Sequence, residues 1–309
     1  MENNIEKVFN EKLQSLKHSK FLIAVSGGVD SMVLVNLFKK SRLDFSIAHC
    51  NFKLRSEESD LDEIFVSNWS KDNDQKYFST IFNTAQYCKL NKIGIQEGAR
   101  RLRYEWFFNL KALYGFDFIV TAHQLNDQIE TYLINSMRGT GLTGLIGIPE
   151  KTDKLFRPLL DITKNEISKY AINNNILFRE DSSNFQNDYL RNTIRNSVIP
   201  KLQEFDDNVM LKFKTTFNNL NSTKIFVDKI IKDIKAKIFL KEDFNQRVKI
   251  SDLTKLYPLE FYIHSLFSDY GFDYKEVVKL FTSDSGKYIK SIKYKLTKNK
   301  NDLIISKND

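Results

Sequence analysis

The sequence predicts an α/β protein: a parallel-sheet domain, then a helical connector and a small α+β C-terminal domain. Three observations carry this prediction. Phe21-Leu22-Ile23-Ala24-Val25 is a short apolar run of strand type, and residues 32–38 are apolar over the length of a helix. A second strand run, Phe45-Ser46-Ile47-Ala48-His49, begins 24 residues after the first. That spacing is the period of a βαβ unit, because parallel strands need a crossover of a dozen or more residues. After Lys241 the alternation of strands and helices stops, and residues 288–297 and 303–306 alternate as a β-hairpin does.

Taken in order, residues 3–18 read as a helix, with Ile5, Val8, Phe9, Leu13 and Leu16 on one side. The strand at 21–25, the helix at 31–40 and the strand at 45–49 follow. Residues 57–70 are predicted helical and residues 76–82 a third strand. A long helix is expected from Glu97 to Tyr114, with Ala99, Leu102, Trp106, Leu110 and Leu113 as its core face and Arg100, Arg103 and Lys111 largely on another. Residues 117–121 read as a fourth strand, followed by a helix from Asn126 to Arg138. The stretch from Gly139 to Gly147 is too rich in glycine for a helix and is expected to be a mobile loop. Residues 156–160 are short and extended, and Thr163 with Glu166 forms a capping box for a helix to about Asn174. Residues 188–204 and 206–238 read as mainly helical, as do 258–269 and 274–282. The expected domains are 1–205 and 206–309, with helices as the connector.

Composition narrows the class. With 309 residues and 41% hydrophobic residues, the chain is long enough for two soluble domains, or for one large domain with an appendage. No run of 18 apolar residues and no signal-peptide core is found, and Cys50 and Cys88 have no metal-like spacing. A reduced, cytoplasmic protein without a membrane partner is the expectation. Residues 201–309 hold 21 Lys+Arg against 15 Asp+Glu, a net of +6, whereas residues 1–200 hold 26 against 24. A basic final third suits a polyanion or a merely solvated surface.

The residues that carry chemistry lie at predicted strand ends. Ser26-Gly27-Gly28-Val29-Asp30-Ser31 joins the first strand to the next helix. A tight glycine turn there points unpaired backbone N–H groups and the helix dipole at an anion, and Ser26 and Ser31 add hydroxyls. It lacks the G-x-x-x-x-G-K-[ST] pattern of the common mononucleotide loop. Thr121-Ala122-His123 ends the fourth strand, and Asp127 and Glu130 share a face of the helix after it. Two carboxylates at the mouth of a parallel sheet can grip an ammonium group or a metal ion.

The loop resembles the Ser-Gly-Gly-x-Asp-Ser signature of the PP-loop ATP pyrophosphatase superfamily. The resemblance implies an adenine nucleotide α-hydrolase-like fold, ATP binding at Ser26, Gly27, Gly28, Val29, Asp30 and Ser31, and release of pyrophosphate. It sharpens to the tRNA(Ile)-lysidine synthetase family through Asp127-Gln128-Ile129-Glu130-Thr131, Arg100-Arg101-Leu102-Arg103-Tyr104 and the glycine-rich stretch from Arg138 to Pro149. Arg157-Pro158-Leu159-Leu160, Glu180-Asp181-Ser182-Ser183-Asn184 and the run Tyr189-Leu190-Arg191-Asn192-Thr193-Ile194-Arg195 also match. There are departures. Phe52 and Lys53 stand where the family usually has His and Gly, Asn126 where it often has Asp, and Gln124 where it has a second His. Longer relatives carry two C-terminal modules, and this chain has room for one.

That resemblance implies a two-step reaction. ATP adenylates the carbon-2 oxygen of the wobble cytidine in a tRNA(Ile) with a CAU anticodon, and the ε-amine of free L-lysine then displaces AMP. Asp30, Arg103, Asp127, Glu130 and Arg195 are the implied catalytic residues, with Asp30 as a ligand for Mg²⁺ and Asp127 and Glu130 as the lysine-binding pair. Lys290, Lys293, Lys295 and Lys298 would hold tRNA backbone, with Tyr288 and Tyr294 as stacking candidates. The resemblance also admits a homodimer. A tRNA thiolase of the same superfamily, an amide-forming synthetase and a non-catalytic tRNA-binding protein are the rivals. Only two cysteines are present for the first, the Asp127–Glu130 helix and basic tail oppose the second, and the intact loop opposes the third.

Overall fold

A computed structural model describes residues 4–55, 57–180, 190–242 and 245–308. The chain divides into two compact units, Met1–Asn218 and Asn219–Asp309.

In the first unit the elements are α1 (Asn4–Leu13), β1 (Phe21–Ala24), α2 (Val29–Lys40), β2 (Phe45–Asn51), α3 (Glu57–Asp72), β3 (Tyr77–Ile81) and α4 (Thr84–Asn91). They continue with α5 (Ile95–Tyr114), β4 (Phe118–Val120), α6 (Leu125–Met137), α7 (Leu142–Leu145), β5 (Leu155–Phe156) and α8 (Lys164–Asn173). After residue 189 come α9 (Leu190–Thr193), a π-helical turn (Ile194–Val198), α10 (Ile199–Phe205) and the long α11 (Val209–Ile238), which runs on into the second unit. The strands form one parallel sheet in the order β3-β2-β1-β4-β5.

Both faces of this sheet are covered, which is why β1 is apolar at successive positions rather than at alternate ones. Phe21 and Ile23 face a core shared with α1, α2 and α8, whereas Leu22 faces Phe107 and Leu110 of α5. Phe38 of α2 sits at the centre of the first core. Its ring lies 5.2, 5.1 and 5.8 Å from those of Phe9, Phe21 and Phe45, each edge-on. Strand order reverses between β1 and β4, so the crevice at their carboxyl ends lies between the glycine loop and the segment Thr121–Asp127.

The second unit holds β6 (Leu240–Glu242), β7 (Asn245–Lys249), α12 (Ile250–Leu253), α13 (Leu259–Phe267), α14 (Tyr274–Phe281), β8 (Tyr288–Lys290), β9 (Tyr294–Asn299) and β10 (Asp302–Lys307). Its sheet is antiparallel, in the order β6-β7-β10-β9-β8, and packs Val248, Leu296, Leu303 and Ile305 on Ile263, Phe267, Val277 and Leu280.

Several expectations need correction. The predicted hairpin is the β8-β9-β10 part of a larger sheet; β6 and β7 were not expected, because Asn245-Gln246-Arg247-Val248-Lys249 buries only Val248. The glycine-rich stretch contains the helical turn α7, tied to α6 by Gln128 and Asn135. Gln128 donates to Ile146 O at 2.6 Å and accepts from Ile148 N at 2.8 Å, and Asn135 donates to Gly144 O at 2.8 Å. On α5 the core face is rotated: Phe107 and Leu110 are buried and Leu113 is 74% exposed. α4 was missed, although Asn83 caps it by accepting from Gln86 N at 3.1 Å. Most of the Glu180-Asp181-Ser182-Ser183-Asn184 motif, and Tyr189, lie outside the described residues.

Phe38 is fully buried against three rings, so Phe38→Ala is expected to cost about 3–5 kcal/mol. Urea denaturation checks this; a cost below about 1 kcal/mol would show that this core collapses onto the void.

Candidate active site

The glycine loop is set by one unusual backbone angle. Gly27 has φ +93°, in the region where a side chain is strained, while Gly28 is extended at φ −73° and ψ 162° and caps α2. Conformation therefore demands glycine at 27 only. The first intrahelical bond runs from Met32 N to Gly28 O at 3.0 Å, which leaves the N–H groups of Val29, Asp30 and Ser31 without helix acceptors. α2 thus starts inside the loop, two residues earlier than expected. Ser31 Oγ donates to Gly28 O at 2.8 Å and accepts from Gly27 N at 3.2 Å, and Ser26 Oγ lies 3.3 Å from Ser31 Oγ. The serines brace the turn from within.

Asp30 projects from the first turn of α2. Its Oδ1 accepts from Lys164 Nζ at 2.9 Å, the first residue of α8. Burial holds the Asp30 carboxyl above the usual range; the ammonium of Lys164 pulls it back, and Asp127 adds repulsion. Lys164 is placed by Thr163 and Glu166, whose capping box forms as expected, and by Asn126, whose Oδ1 accepts from Lys164 N at 3.1 Å. Asn126 is therefore a brace between α6 and α8.

Asp127 and Glu130 do share a face of α6, as expected, but their surroundings differ. Asp127 Oδ2 accepts from Gln124 N at 3.0 Å in the capping box of α6, and Oδ1 accepts from Arg195 at 3.1 Å. Glu130 has no exposed surface. Its Oε2 accepts from Arg191 Nε at 2.6 Å and its Oε1 from Arg195 Nε at 2.6 Å. Burial opposes the charge of Arg195, and Glu130, Asp127 and Asp30 together more than restore it.

One cavity of about 780 Å³ gathers these groups. Of the expected residues, Ser26, Gly28, Val29, Asp30, Ser31, Arg103, Asp127 and Arg195 line it and Gly27 does not; Lys164 and Arg179, which were not expected, line it as well. Glu130 is not among its lining residues; it acts on the cavity through Arg195. Nothing in the sequence pairs Lys164 with Asp30, which lies 134 positions away. The inner wall is apolar, with Ala24, Ala48, Phe52 and Phe107.

The side groups of the cavity carry clear electrostatic signatures. The Arg103 guanidinium sits 5.1 Å from the centre of the Phe52 ring, a cation–π contact, and Phe52 stacks on Phe82. Lys53 has φ +52°, a left-handed backbone conformation. The turn is held by Lys53 N donating to Asn51 Oδ1 at 3.0 Å and by Lys53 Nζ on Asp60 at 2.5 Å. His123 Nδ1 lies 2.7 Å from Thr121 Oγ1. Burial, and then Arg157, Arg191, Arg100 and Arg103, push its pKa down to about 3, so the ring is neutral. Burial pushes the Cys50 thiol up to about 12 despite Arg103, so it is not a thiolate at neutral pH.

In the second unit the basic hairpin is only partly available. Tyr288 is 52% exposed, with Lys295 Nζ 4.4 Å and Lys290 Nζ 5.8 Å from its ring centre. Tyr294 instead packs edge-on to Tyr270 at 5.2 Å, and Lys298 Nζ donates to Phe281 O at 2.8 Å at the end of α14. Those two serve the fold.

Comparison with known proteins agrees with this geometry. Residues 1–202 match the PP-loop domain family, and residues 241–308 match the TilS substrate binding domain. A tRNA(Ile)-lysidine synthase of Bacteroides thetaiotaomicron is 34% identical over 293 residues, covering 94% of this chain and 68% of that protein. Proteins of the same name from Porphyromonas gingivalis and Clostridioides difficile are each 34% identical, over 85% and 83% of this chain but 57% and 58% of their own lengths. The chain thus spans little more than half of some of its curated relatives. Among solved structures, the U34-tRNA thiolase NcsA of Methanococcus maripaludis shares the fold, with a TM-score of 0.58 at 14% identity, over 70% of this chain and 78% of that one. With the glycine loop at the switch point, the acidic face of α6 and matches covering both units, the chain belongs to the tRNA(Ile)-lysidine synthase family.

Proposed function

We propose that this chain ligates L-lysine to carbon 2 of the wobble cytidine of a CAU-anticodon tRNA(Ile), using ATP and passing through an adenylated cytidine. The observation that carries the reading is the single cavity in which the glycine loop, Asp30, Asp127, Arg103 and Arg195 converge. In the first step the cytidine O2 attacks the α-phosphorus, an O–P bond forms, and the α–β anhydride breaks to release pyrophosphate. The N–H groups of Val29, Asp30 and Ser31 donate to phosphate oxygens, while Arg103 and Arg195 face the charge that develops. In the second step the lysine amine adds at carbon 2, AMP leaves, and the amine gives up its protons.

Asp127 faces the cavity and is the proposed contact for the lysine ammonium. Glu130 belongs to the same lysine-binding pair through Arg195, which it holds beside Asp127. Asp30 fits a Mg²⁺ ligand, because Lys164 takes Oδ1 and Oδ2 has no protein partner among the described residues. No three His, Cys, Asp or Glu side chains among the described residues meet as a metal cluster, so phosphate and water would complete the shell. When bound, the ion would offset phosphate charge.

The target base has to leave its stack to reach such a site, which fits a splayed anticodon loop. Lys290, Lys293 and Lys295 of the second unit are proposed to hold tRNA backbone, with Tyr288 as a stacking residue. We assign residues 1–205 to catalysis and 206–309 to the connector and tRNA binding, and place the protein in the cytoplasm, where its substrates are. No described helix is long and apolar enough to cross a membrane. A homodimer is compatible with this scheme. The sequence holds only two cysteines, Cys50 and Cys88, which disfavours a sulfur-carrying thiolase.

The direct test is incubation with ATP, radiolabelled lysine and a tRNA transcript, followed by nucleoside analysis; label at one cytidine is expected, and its absence would refute the reading. Asp30→Ala is expected to abolish AMP formation while leaving tRNA affinity within about twofold, measured by filter binding. Asp127→Asn is expected to raise the KM for lysine about tenfold or more and that for ATP far less. His123 binds its proton near 6.5 when unfolded but near about 3 when folded. Its contribution to stability is therefore complete above pH 6.5 and is lost as pH falls through that interval. Urea titrations at pH 7.5 and 5 should show a smaller loss on acidification in His123→Gln than in the parent; equal losses would contradict the neutral ring.

A further inference from the structure

Behind the glycine loop lies a three-residue bridge that the reaction outlined above does not use. Asp62, on α3, is 8% exposed. Its Oδ2 accepts from Arg55 Nη2 at 2.8 Å, and its Oδ1 from Arg179 Nε at 2.6 Å. The backbone N–H of Arg179 donates to Gly27 O at 3.0 Å, so the bridge is joined to the loop itself. α3 backs the same turn: a Cβ on Gly27 would stand 3.5 Å from the side chains of Phe65 and Val66. Arg55, Asp62 and Arg179 all line the cavity that holds Ser26 and Gly28.

Arg55 is answered by two carboxylates, since Glu58 Oε2 also lies 3.7 Å from its Nη1. Asp62 takes only Nε of Arg179, and the Nη donors of that residue have no protein partner among the described residues. A planar guanidinium fork held from behind suits a phosphate in front. The leaving pyrophosphate gains negative charge when the α–β bond breaks.

We propose that Arg179, oriented by Asp62, clamps the pyrophosphate half of the nucleotide, with Asp62 as a positioning residue. This rests on the nucleotide-binding reading of the loop. A bridge that merely staples α3 to residues 177–180 would alter stability and every ligand alike. A clamp alters pyrophosphate selectively, because AMP lacks the groups it holds.

The test is calorimetric titration of the full chain with two probes, pyrophosphate and AMP, each with Mg²⁺. Arg179→Gln is expected to weaken pyrophosphate about tenfold or more and AMP less than about twofold. Asp62→Asn should show the same selectivity, and Asp62→Glu should restore part of the loss. Arg179 is partly exposed, so Arg179→Gln carries the test if Asp62→Asn does not fold. Equal weakening of both probes, or no weakening of either, would overturn the clamp while leaving the nucleotide site standing. If the parent chain bound neither probe, the reading of the loop would fall as well, and the clamp with it.

Discussion

A carboxylate with no exposed surface has to be neutralised where it stands, and Glu130 sets that constraint on the site. Removing one partner of a buried ion pair costs about 3–5 kcal/mol, because the other charge is left in a poor solvent. Arg191 meets this demand from α9 and Arg195 from the turn that joins α9 to α10, each through Nε at 2.6 Å. The consequence is positional. Arg195 also reaches Asp127, so a charge required for packing is delivered to the cavity in a fixed orientation. The π-helical turn at Ile194–Val198 falls where this second guanidinium must be presented beside the first, Arg191 on α9.

The same logic of supported charges extends around the cavity. Lys164 answers Asp30, and Asn126 holds the end of the helix that carries Lys164. Phe52 answers Arg103 with a ring face, and Phe82 supports that ring. Asp62 answers two arginines beside the loop. Reversal of strand order between β1 and β4 opens the crevice in which these pairs meet. Three features of the sequence thus converge on one place: a glycine turn after one strand, an acidic helix after another, and an arginine-bearing turn far along the chain.

Much of the fold was legible because its signals are local. The β1-loop-α2 unit, the capping box at Thr163 and Glu166, and the helix after His123 are all written in contiguous residues. What was not legible depends on distant partners. Lys164 has no local mark that would pair it with Asp30, and Arg179 none that would pair it with Asp62. The face of α5 was misjudged because Leu113 and Phe107 fit a helical period equally well, and only packing against Leu22 selects Phe107. β7 escaped notice because its buried position is a single valine among polar residues. The conformational roles of Gly27 and Gly28 also differ, which the repeated letter conceals.

The most direct measurement is a crystal structure of the chain with a non-hydrolysable ATP analogue and Mg²⁺. The triphosphate should lie within hydrogen-bond distance of the N–H groups of Val29, Asp30 and Ser31, with Arg195 still held by Glu130 and facing the α-phosphate. A nucleotide bound elsewhere, or one that reaches the cavity only after Arg195 has left Glu130, would contradict the account.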